Sequence, residues 1–171
     1  MINIDHLHTN TNKSDSRVDE AVTVGIRHIG IAVYSSGKVY EYLVRKGFES
    51  DIAHTAVKEL IERKYLDDIR AGRKVINSRT GRRQESKALL YKRLIAAGVA
   101  EDKADELITM TRDDKETCLS LIESAYPVIP DELLYEGDSS LYDDIMKLCM
   151  RRGYTPNLAR NSINQWINDN K

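Results

Sequence analysis

The segment Leu94-Ile-Ala-Ala-Gly-Val99 occurs in related form at two other places in the chain. The counterparts are Leu43-Val-Arg-Lys-Gly-Phe48 and Cys149-Met-Arg-Arg-Gly-Tyr154, and the three glycines lie 51 and 55 residues apart. Apolar or sulfur-bearing residues precede each glycine by eight, four and three positions, a spacing that predicts one face of a helix. A glycine in left-handed conformation commonly follows the end of a helix. The pattern therefore predicts a helix and a glycine turn, three times over.

The sequence after each glycine repeats as well. Ala53, Ala104 and Ala159 stand six positions after their glycines, and further apolar positions follow at helical spacing. Trp166, the only tryptophan, falls in this pattern, and we expect it in the core rather than on a base-stacking surface. A helix also fits ahead of each hairpin, at 19–34, 67–79 and 114–126. Shared offsets at three places indicate a true internal repeat of three helices.

The sequence thus predicts an all-α protein of three tandem three-helix repeats that form an elongated, curved array. Glycine and proline together make up only 12 of the 171 residues, which disfavours a turn-rich β-sandwich or barrel. We expect the repeats at 18–65, 66–112 and 113–171, with a loop at 127–137 inside the third. Residues 1–17 are polar and are expected to form a flexible arm. Such an array can bury its own faces, so a monomer is expected.

Charge is balanced overall but segregated along the chain. The formal net charge is −1, whereas the segment Arg70–Arg93 holds nine basic residues and one acidic residue, Glu85. The segment Glu101–Met146 holds 14 acidic and three basic residues. A strongly basic segment attracts anionic partners, such as nucleic-acid phosphates or an acidic protein surface. The alternative is a solvated surface with no partner. The candidate contact residues are Arg73, Lys74, Arg79, Arg82, Arg83, Lys87 and Arg93.

No catalytic constellation stands out in the sequence. There is no GxSxG, GxxxxGK[ST] or CxxC motif and no GxGxxG after a strand, so we expect neither enzymatic activity nor a cofactor. The pairs Asp67–Asp68 and Asp113–Asp114 stand at predicted helix starts, where carboxylates cap free N–H groups. Neighbouring residues on a helix diverge by about 100°, so such pairs chelate poorly and no metal site is expected. His6 and His8 lack the further ligands of a zinc site.

The two cysteines and the hydropathy bear on location. Cys118 and Cys149 both lie in helical, apolar surroundings and are expected to be reduced core residues of a cytoplasmic protein. No apolar run approaches the roughly 20 residues that span a bilayer, so no membrane partner is expected.

Four segments, taken in order, resemble the RecX family of recombination regulators. They are Tyr34–Phe48, with serine at the helix start and basic-Gly-Phe at its end; Tyr65-Leu-Asp-Asp68 followed by Ser78-Arg79; Leu94–Val99; and Cys149–Tyr154. The chain departs from the family at Ala71-Gly72 and at Ala96-Ala97, positions where family members commonly have Phe-Ala and basic residues. The resemblance covers about residues 18–171. It implies a non-enzymatic protein that binds RecA and its nucleoprotein filament, and that in many members also binds DNA.

Three functional hypotheses follow. The first is a regulator of RecA that docks in the groove of the RecA–single-stranded-DNA filament and inhibits recombinase, ATPase and SOS-related activities. The second is a helical module that binds DNA without RecA. The third is a helical adaptor for an acidic protein partner.

Overall fold

The computed structural model describes the backbone of residues 5–128 and 139–170, and the side chains of 14–128 and 140–170. Over these ranges it contains nine α-helices and no strand, and the predicted all-α class is confirmed. A short 3-10 helix, Gly81–Arg83, lies between the fourth and fifth α-helices. The α-helices are α1 (Asp5–Ile29), α2 (Ser36–Arg45), α3 (Ser50–Glu62), α4 (Asp68–Asn77), α5 (Lys87–Ala96), α6 (Glu101–Thr109), α7 (Asp114–Ala125), α8 (Ser139–Arg151) and α9 (Pro156–Asp169).

The helices follow one another in three groups of three: α1–α3, α4–α6 and α7–α9. The repeat boundaries expected at 65/66 and 112/113 both fall in connections between helices. The loop expected at 127–137 lies, from residue 129 onward, outside the described residues.

The three repeated glycines end α2, α5 and α8 as the sequence predicts. Their φ angles are +90° at Gly47, +77° at Gly98 and +88° at Gly153, a left-handed conformation that L side chains rarely adopt. In the first and third turns the residue after the glycine donates its N–H back to the helix. Phe48 N bonds to Leu43 O at 3.2 Å, and Tyr154 N bonds to Cys149 O at 3.1 Å. These bonds satisfy carbonyl groups that a helix end leaves free.

One part of the predicted helix face is wrong. The positions eight and four residues before each glycine are buried in all three repeats. The position three before is exposed in all three, with Val44 at 42%, Ile95 at 41% and Met150 at 51%. Successive residues turn by about 100°, so this position lies about 140° around the helix from the position eight before the glycine. It therefore projects away from the core.

The flexible arm expected at 1–17 is replaced, from Asp5 onward, by the first half of α1. No glycine or proline occurs between Asp5 and Val24, and extending an existing helix adds one hydrogen bond per residue. Side chains 14–17 are exposed, so no apolar periodicity marks this part of the helix in the sequence. At the other end α1 stops at Ile29 rather than at residue 34, because Gly30 adopts a φ of +50°.

The chain forms two compact units, each with its own core. Unit 1 consists of Met1–Gly72 and Ile95–Lys103, and unit 2 of Arg73–Leu94 and Ala104–Lys171. The core of unit 1 includes Ala21, Val22, Ile29, Val39, Leu43, Phe48, Ile52, Ala53, Ala56, Val57, Leu60 and Leu66. The core of unit 2 includes Cys118, Leu121, Ile122, Ile145, Cys149, Tyr154, Ala159, Ile163 and Trp166. Trp166 is 3% exposed, which confirms it as a core residue.

Both cysteines are free thiols inside the core of unit 2, in agreement with the expectation of reduced core residues. Their sulfur atoms are 3.8 Å apart. The contact with Cys118, together with burial, raises the pKa of Cys149 well above its usual range. None of the helices in the described part of the chain combines the length and apolar character that crossing a lipid bilayer requires.

Candidate nucleic-acid and protein interface

The basic segment Arg70–Arg93 covers most of α4, the 3-10 helix and the first two turns of α5. A polar junction inside unit 2 fixes the start of α5. The Oγ of Ser86 accepts the N–H of Leu89 at 3.3 Å, which caps the helix. The Ser86 N–H donates to the carbonyl of Arg152 at 2.9 Å, and the Lys87 N–H donates to the Asp114 carboxylate at 2.7 Å. The beginning of α5 is therefore tied to both α7 and the turn after α8.

Unit 1 contains a junction of the same design at the start of α2. Ser35 takes the place of Ser86, and its Oγ donates to the carbonyl of Ala97 at 2.5 Å. Asp68 takes the place of Asp114 and accepts the Ser36 N–H at 2.7 Å, the Ser36 hydroxyl at 2.6 Å and the Ala100 N–H at 2.8 Å. In each unit, the second helix of one repeat is thus held at its start by an aspartate and a glycine turn of the following repeat.

The two aspartate pairs at the starts of α4 and α7 divide their roles. The first member of each pair caps its own helix as the sequence predicts. Asp67 accepts the Arg70 N–H at 2.9 Å, and Asp113 accepts the Lys115 N–H at 3.1 Å. The junction role of the second member, Asp68 or Asp114, is missing from the sequence-based prediction. The sequence does contain a signal for this junction role. It is a serine just before the second helix of one repeat together with an aspartate at the start of the next repeat.

Glu85, the lone acid of the basic segment, organises two arginines in unit 2. Its carboxylate is fully buried, and Arg93 donates to both of its oxygens, with Arg93 Nη2 at 2.6 Å from Oε1. Arg152 Nη1 lies 3.9 Å from the same carboxylate. The hydrogen bond to Glu85 raises the pKa of Arg93 above its ordinary value. Arg93, a predicted contact residue, is therefore engaged within the protein.

A second predicted contact residue, Arg82, also has an internal role. Its Nε donates to the carbonyl of Ser124 in α7 at 2.9 Å, and its own carbonyl accepts Arg152 Nη2, also at 2.9 Å. These bonds anchor the 3-10 helix against α7 and the end of α8. The guanidinium of Arg82 remains exposed, so the bond leaves its charge near the surface.

Three of the predicted residues come together on one cavity of unit 2. Arg73, Arg79 and Lys87 line a cavity of about 410 Å³, which we call the basic cavity. Arg112, which lies outside the predicted set, is a fourth cation in its lining. Ile76, Leu90, Leu107 and Met110 supply apolar surface to the same cavity.

The last two predicted residues, Lys74 and Arg83, are exposed and lie outside the basic cavity. Neither forms an ion pair with any residue that the structure describes. The seven predicted residues therefore fall into three sets. Arg82 and Arg93 have bonds within the protein, Arg73, Arg79 and Lys87 line the cavity, and Lys74 and Arg83 present charge that no described residue pairs.

Among the described side chains there is no cluster of three or more histidine, cysteine, aspartate or glutamate residues that could hold a metal ion. The side chains of His6 and His8 lie outside the described residues. The basic cavity places arginine and lysine side chains beside apolar surface, a combination suited to binding an anionic partner.

Comparison with known proteins gives sequence relatives that share one name. No family model matches the chain. A "Regulatory protein RecX" of Treponema pallidum is 25% identical over 150 residues, which cover 86% of this chain and 85% of that protein. A protein of the same name from Clostridium tetani is 26% identical over 133 residues, covering 76% of this chain and 59% of that protein. A third, from Pelodictyon phaeoclathratiforme, is 26% identical over 95 residues, covering 56% and 59%.

The fold comparison agrees. The crystal structure of RecX from Lactobacillus salivarius superposes with a TM-score of 0.68, covering 89% of this chain and 97% of that one, at 12% sequence identity. This similarity concerns the fold. Sequence and structure together identify the chain as similar to RecX proteins, and RecX is the family that the comparisons support.

Proposed function

We propose that this chain is a regulatory protein that binds RecA and docks in the groove of the RecA–single-stranded-DNA filament. Binding inhibits the recombinase and ATPase activities of RecA and its SOS-related activities. The observation that carries the proposal is the exposed positive charge of the basic segment, presented on a fold shared with RecX. The naming of the sequence relatives as regulatory RecX proteins supports the same function.

A protein–DNA filament presents anionic groups to any protein that binds to it. Its phosphates and carboxylates offer two kinds of anionic surface, and both attract exposed lysine and arginine side chains. Lys74 and Arg83 have no ion-pair partner among the described residues, so no such pair has to break before they bind. Arg73, Arg79 and Lys87 add charge from the neighbouring basic cavity.

A regulator that acts by binding, without catalysis, needs only a surface that attracts its partner, and the exposed cations of the basic segment provide one. We propose a monomer that occupies the groove, bridges RecA protomers and hinders the conformational changes that ATP hydrolysis drives. Two free, buried cysteines are compatible with a reducing cytoplasm as its location.

The test is the single-stranded-DNA-dependent ATP hydrolysis of RecA, measured while the protein is titrated. We expect inhibition at concentrations well below those that coat the DNA. The double variant Lys74→Glu/Arg83→Glu is expected to lose at least about tenfold in inhibitory potency, since each reversal turns attraction into repulsion. The matched control is Lys58→Glu/Arg160→Glu, which reverses one exposed lysine and one exposed arginine outside the basic segment. Equal loss in both variants would remove the basic segment from the proposal.

The two other hypotheses predict different outcomes. A DNA-binding module would bind single- or double-stranded DNA with a steep salt dependence and leave RecA unaffected. An adaptor for an acidic protein would show no DNA binding at physiological salt. Fluorescence anisotropy with labelled DNA, over a salt series and without RecA, separates the DNA-binding module from the adaptor, and the RecA ATPase titration separates both from the filament proposal.

A further inference from the structure

The basic cavity contains more positive charge than the described part of the protein neutralises. Arg73, Arg79, Lys87 and Arg112 line it, and none of the four forms an ion pair with a described residue. The lining also includes two carboxylates, of which one is paired with an arginine and the other keeps its charge. Glu85 is held by Arg93, and Asp114 accepts the Lys87 N–H at 2.7 Å. The four cations are therefore available to an anion from outside.

Two buried polar atoms in the lining lack hydrogen-bond partners among the described residues. They are Nε of Arg79, a donor, and Oε1 of Gln84, an acceptor. Gln84 is only 6% exposed. Buried polar groups are nearly always paired, and leaving them unpaired is costly. A ligand that brings both an acceptor and a donor would satisfy the two atoms at once.

The rest of the lining combines four polar residues, Asn77, Thr80, Thr111 and Thr117, with apolar surface. Ile76, Leu90, Leu107 and Met110 contribute it, and Met110 is 63% exposed, so one apolar edge faces solvent. A volume of about 410 Å³ lies within the range of small-molecule sites. The occupant should then be an anion with a flat apolar body and a hydrogen-bond donor.

We propose that the basic cavity binds a nucleotide. The phosphate lies among the arginines and accepts from Arg79, the base lies on the apolar surface, and the exocyclic amino group of the base donates to Gln84 Oε1. The source is a free nucleotide or one unstacked nucleotide of a single strand, since both present this chemistry. The inference goes beyond the regulatory proposal, because it concerns binding of a nucleotide by the protein alone. It can therefore be tested without RecA.

The experiment is isothermal titration calorimetry of the full chain with AMP, adenosine and inorganic phosphate. AMP should bind at least about tenfold more tightly than either fragment, because only AMP uses both the cationic and the apolar surface. Inosine monophosphate, which lacks the amino group, should bind more weakly than AMP. Gln84→Leu should abolish that difference and leave the affinity for phosphate unchanged.

Arg79→Gln should weaken AMP binding by about tenfold or more, as expected when a charge-assisted hydrogen bond is lost. The matched control Arg160→Gln removes one exposed arginine of the same unit outside the cavity and should leave the affinity within about twofold. Circular dichroism checks folding, and Arg112→Gln, at an exposed position in the lining, serves if Arg79→Gln does not fold.

Competition identifies the source of the nucleotide. A short oligodeoxyadenylate that displaces AMP assigns the cavity to an unstacked nucleotide of a strand, and failure to displace AMP assigns it to a free nucleotide. The proposal is overturned by the absence of AMP binding, by AMP binding no more tightly than phosphate, or by equal effects of Arg79→Gln and Arg160→Gln. Binding of an acidic, leucine-containing peptide in place of AMP would also overturn it and assign the cavity to a protein partner. Lys74→Glu/Arg83→Glu should still bind AMP, which separates this result from the filament assay.

Discussion

Replacing Asp68 with alanine should destabilise the protein far more than the same change at its neighbour Asp67. Asp68 is 9% exposed and accepts three hydrogen bonds, two from Ser36 and one from the Ala100 N–H. Asp67 is exposed, and its carboxylate accepts the N–H of Arg70. The two variants therefore compare a buried junction with an ordinary helix cap on adjacent residues.

The expected magnitudes follow from the bonds lost. A hydrogen bond to a charged group contributes about 1.5–3 kcal/mol, and the sum over three such bonds is reduced because removal also ends the cost of burying the carboxylate. We therefore expect Asp68→Ala to lower the free energy of unfolding by about 3–5 kcal/mol. Loss of an N-cap typically costs about 1 kcal/mol, which is the expectation for Asp67→Ala. Asp114→Ala removes the bond to the Lys87 N–H and should fall between the two.

Urea unfolding followed by circular dichroism at helical wavelengths measures all three variants. The m-value should stay unchanged, so that a shifted midpoint reports stability alone. A loss at Asp68 no larger than the loss at Asp67 would refute the reasoning, because it would mean that the buried junction contributes nothing beyond a surface cap.

Three further changes test other parts of the structure. Gly98→Ala should cost about 2 kcal/mol more than Gly47→Ala, although both glycines have a positive φ. A Cβ at Gly98 would meet two atoms at 2.9 Å, whereas a Cβ at Gly47 would meet no described atom within 4 Å beyond its chain neighbours. Equal losses in thermal unfolding would mean that the close approach at Gly98 is unimportant. Arg93→Met should cost about 3 kcal/mol by leaving the buried Glu85 carboxylate without its main partner, and adding Glu85→Gln should recover part of the loss in urea titrations; no recovery would contradict the pairing. Burial, and then the charges of two nearby cations, lower the pKa of His28, so the folded protein disfavours its protonation. This contribution to stability should be fully present above the ordinary pKa of 6.5 and should be lost as the pH falls below it. Melting curves taken across this pH range should show a flatter dependence for His28→Phe.

Periodicity predicted the helices that bury apolar residues, and it failed where burial does not govern the structure. The glycine turns, the apolar positions before them and Trp166 are all visible in the sequence, because core packing imposes a regular spacing. The first half of α1 is exposed where its side chains are described and therefore carries no such spacing. The exposed apolar residue before each glycine turn was misassigned because a sequence pattern alone does not tell the edge of a helix face from its centre.

Counting charges locates the basic segment but does not reveal the internal bonds of its residues. The excess of lysine and arginine between residues 70 and 93 is evident from counting. Which of them are committed internally is not, since Arg93 meets Glu85 across eight residues and Arg82 meets the carbonyl of Ser124 across 42. Arg112 joined the cavity from a segment that is strongly acidic in sequence. Tertiary proximity separates structural cations from available ones, and local composition does not report it.

The junctions formed by a serine, an aspartate and a glycine turn couple the stability of each repeat to that of the adjacent repeat. The start of α2 receives additional hydrogen bonds from Asp68 and the turn at Gly98, and the start of α5 from Asp114 and the turn at Gly153. Unfolding one repeat therefore removes hydrogen bonds from its neighbour, and because each bond has one partner in each repeat, the coupling acts in both directions. Linear repeat proteins behave in this way when coupling at the interfaces exceeds the stability of a single repeat. Hydrogen exchange should then show the amides at the starts of α2 and α5 opening together with the repeat that follows each of them.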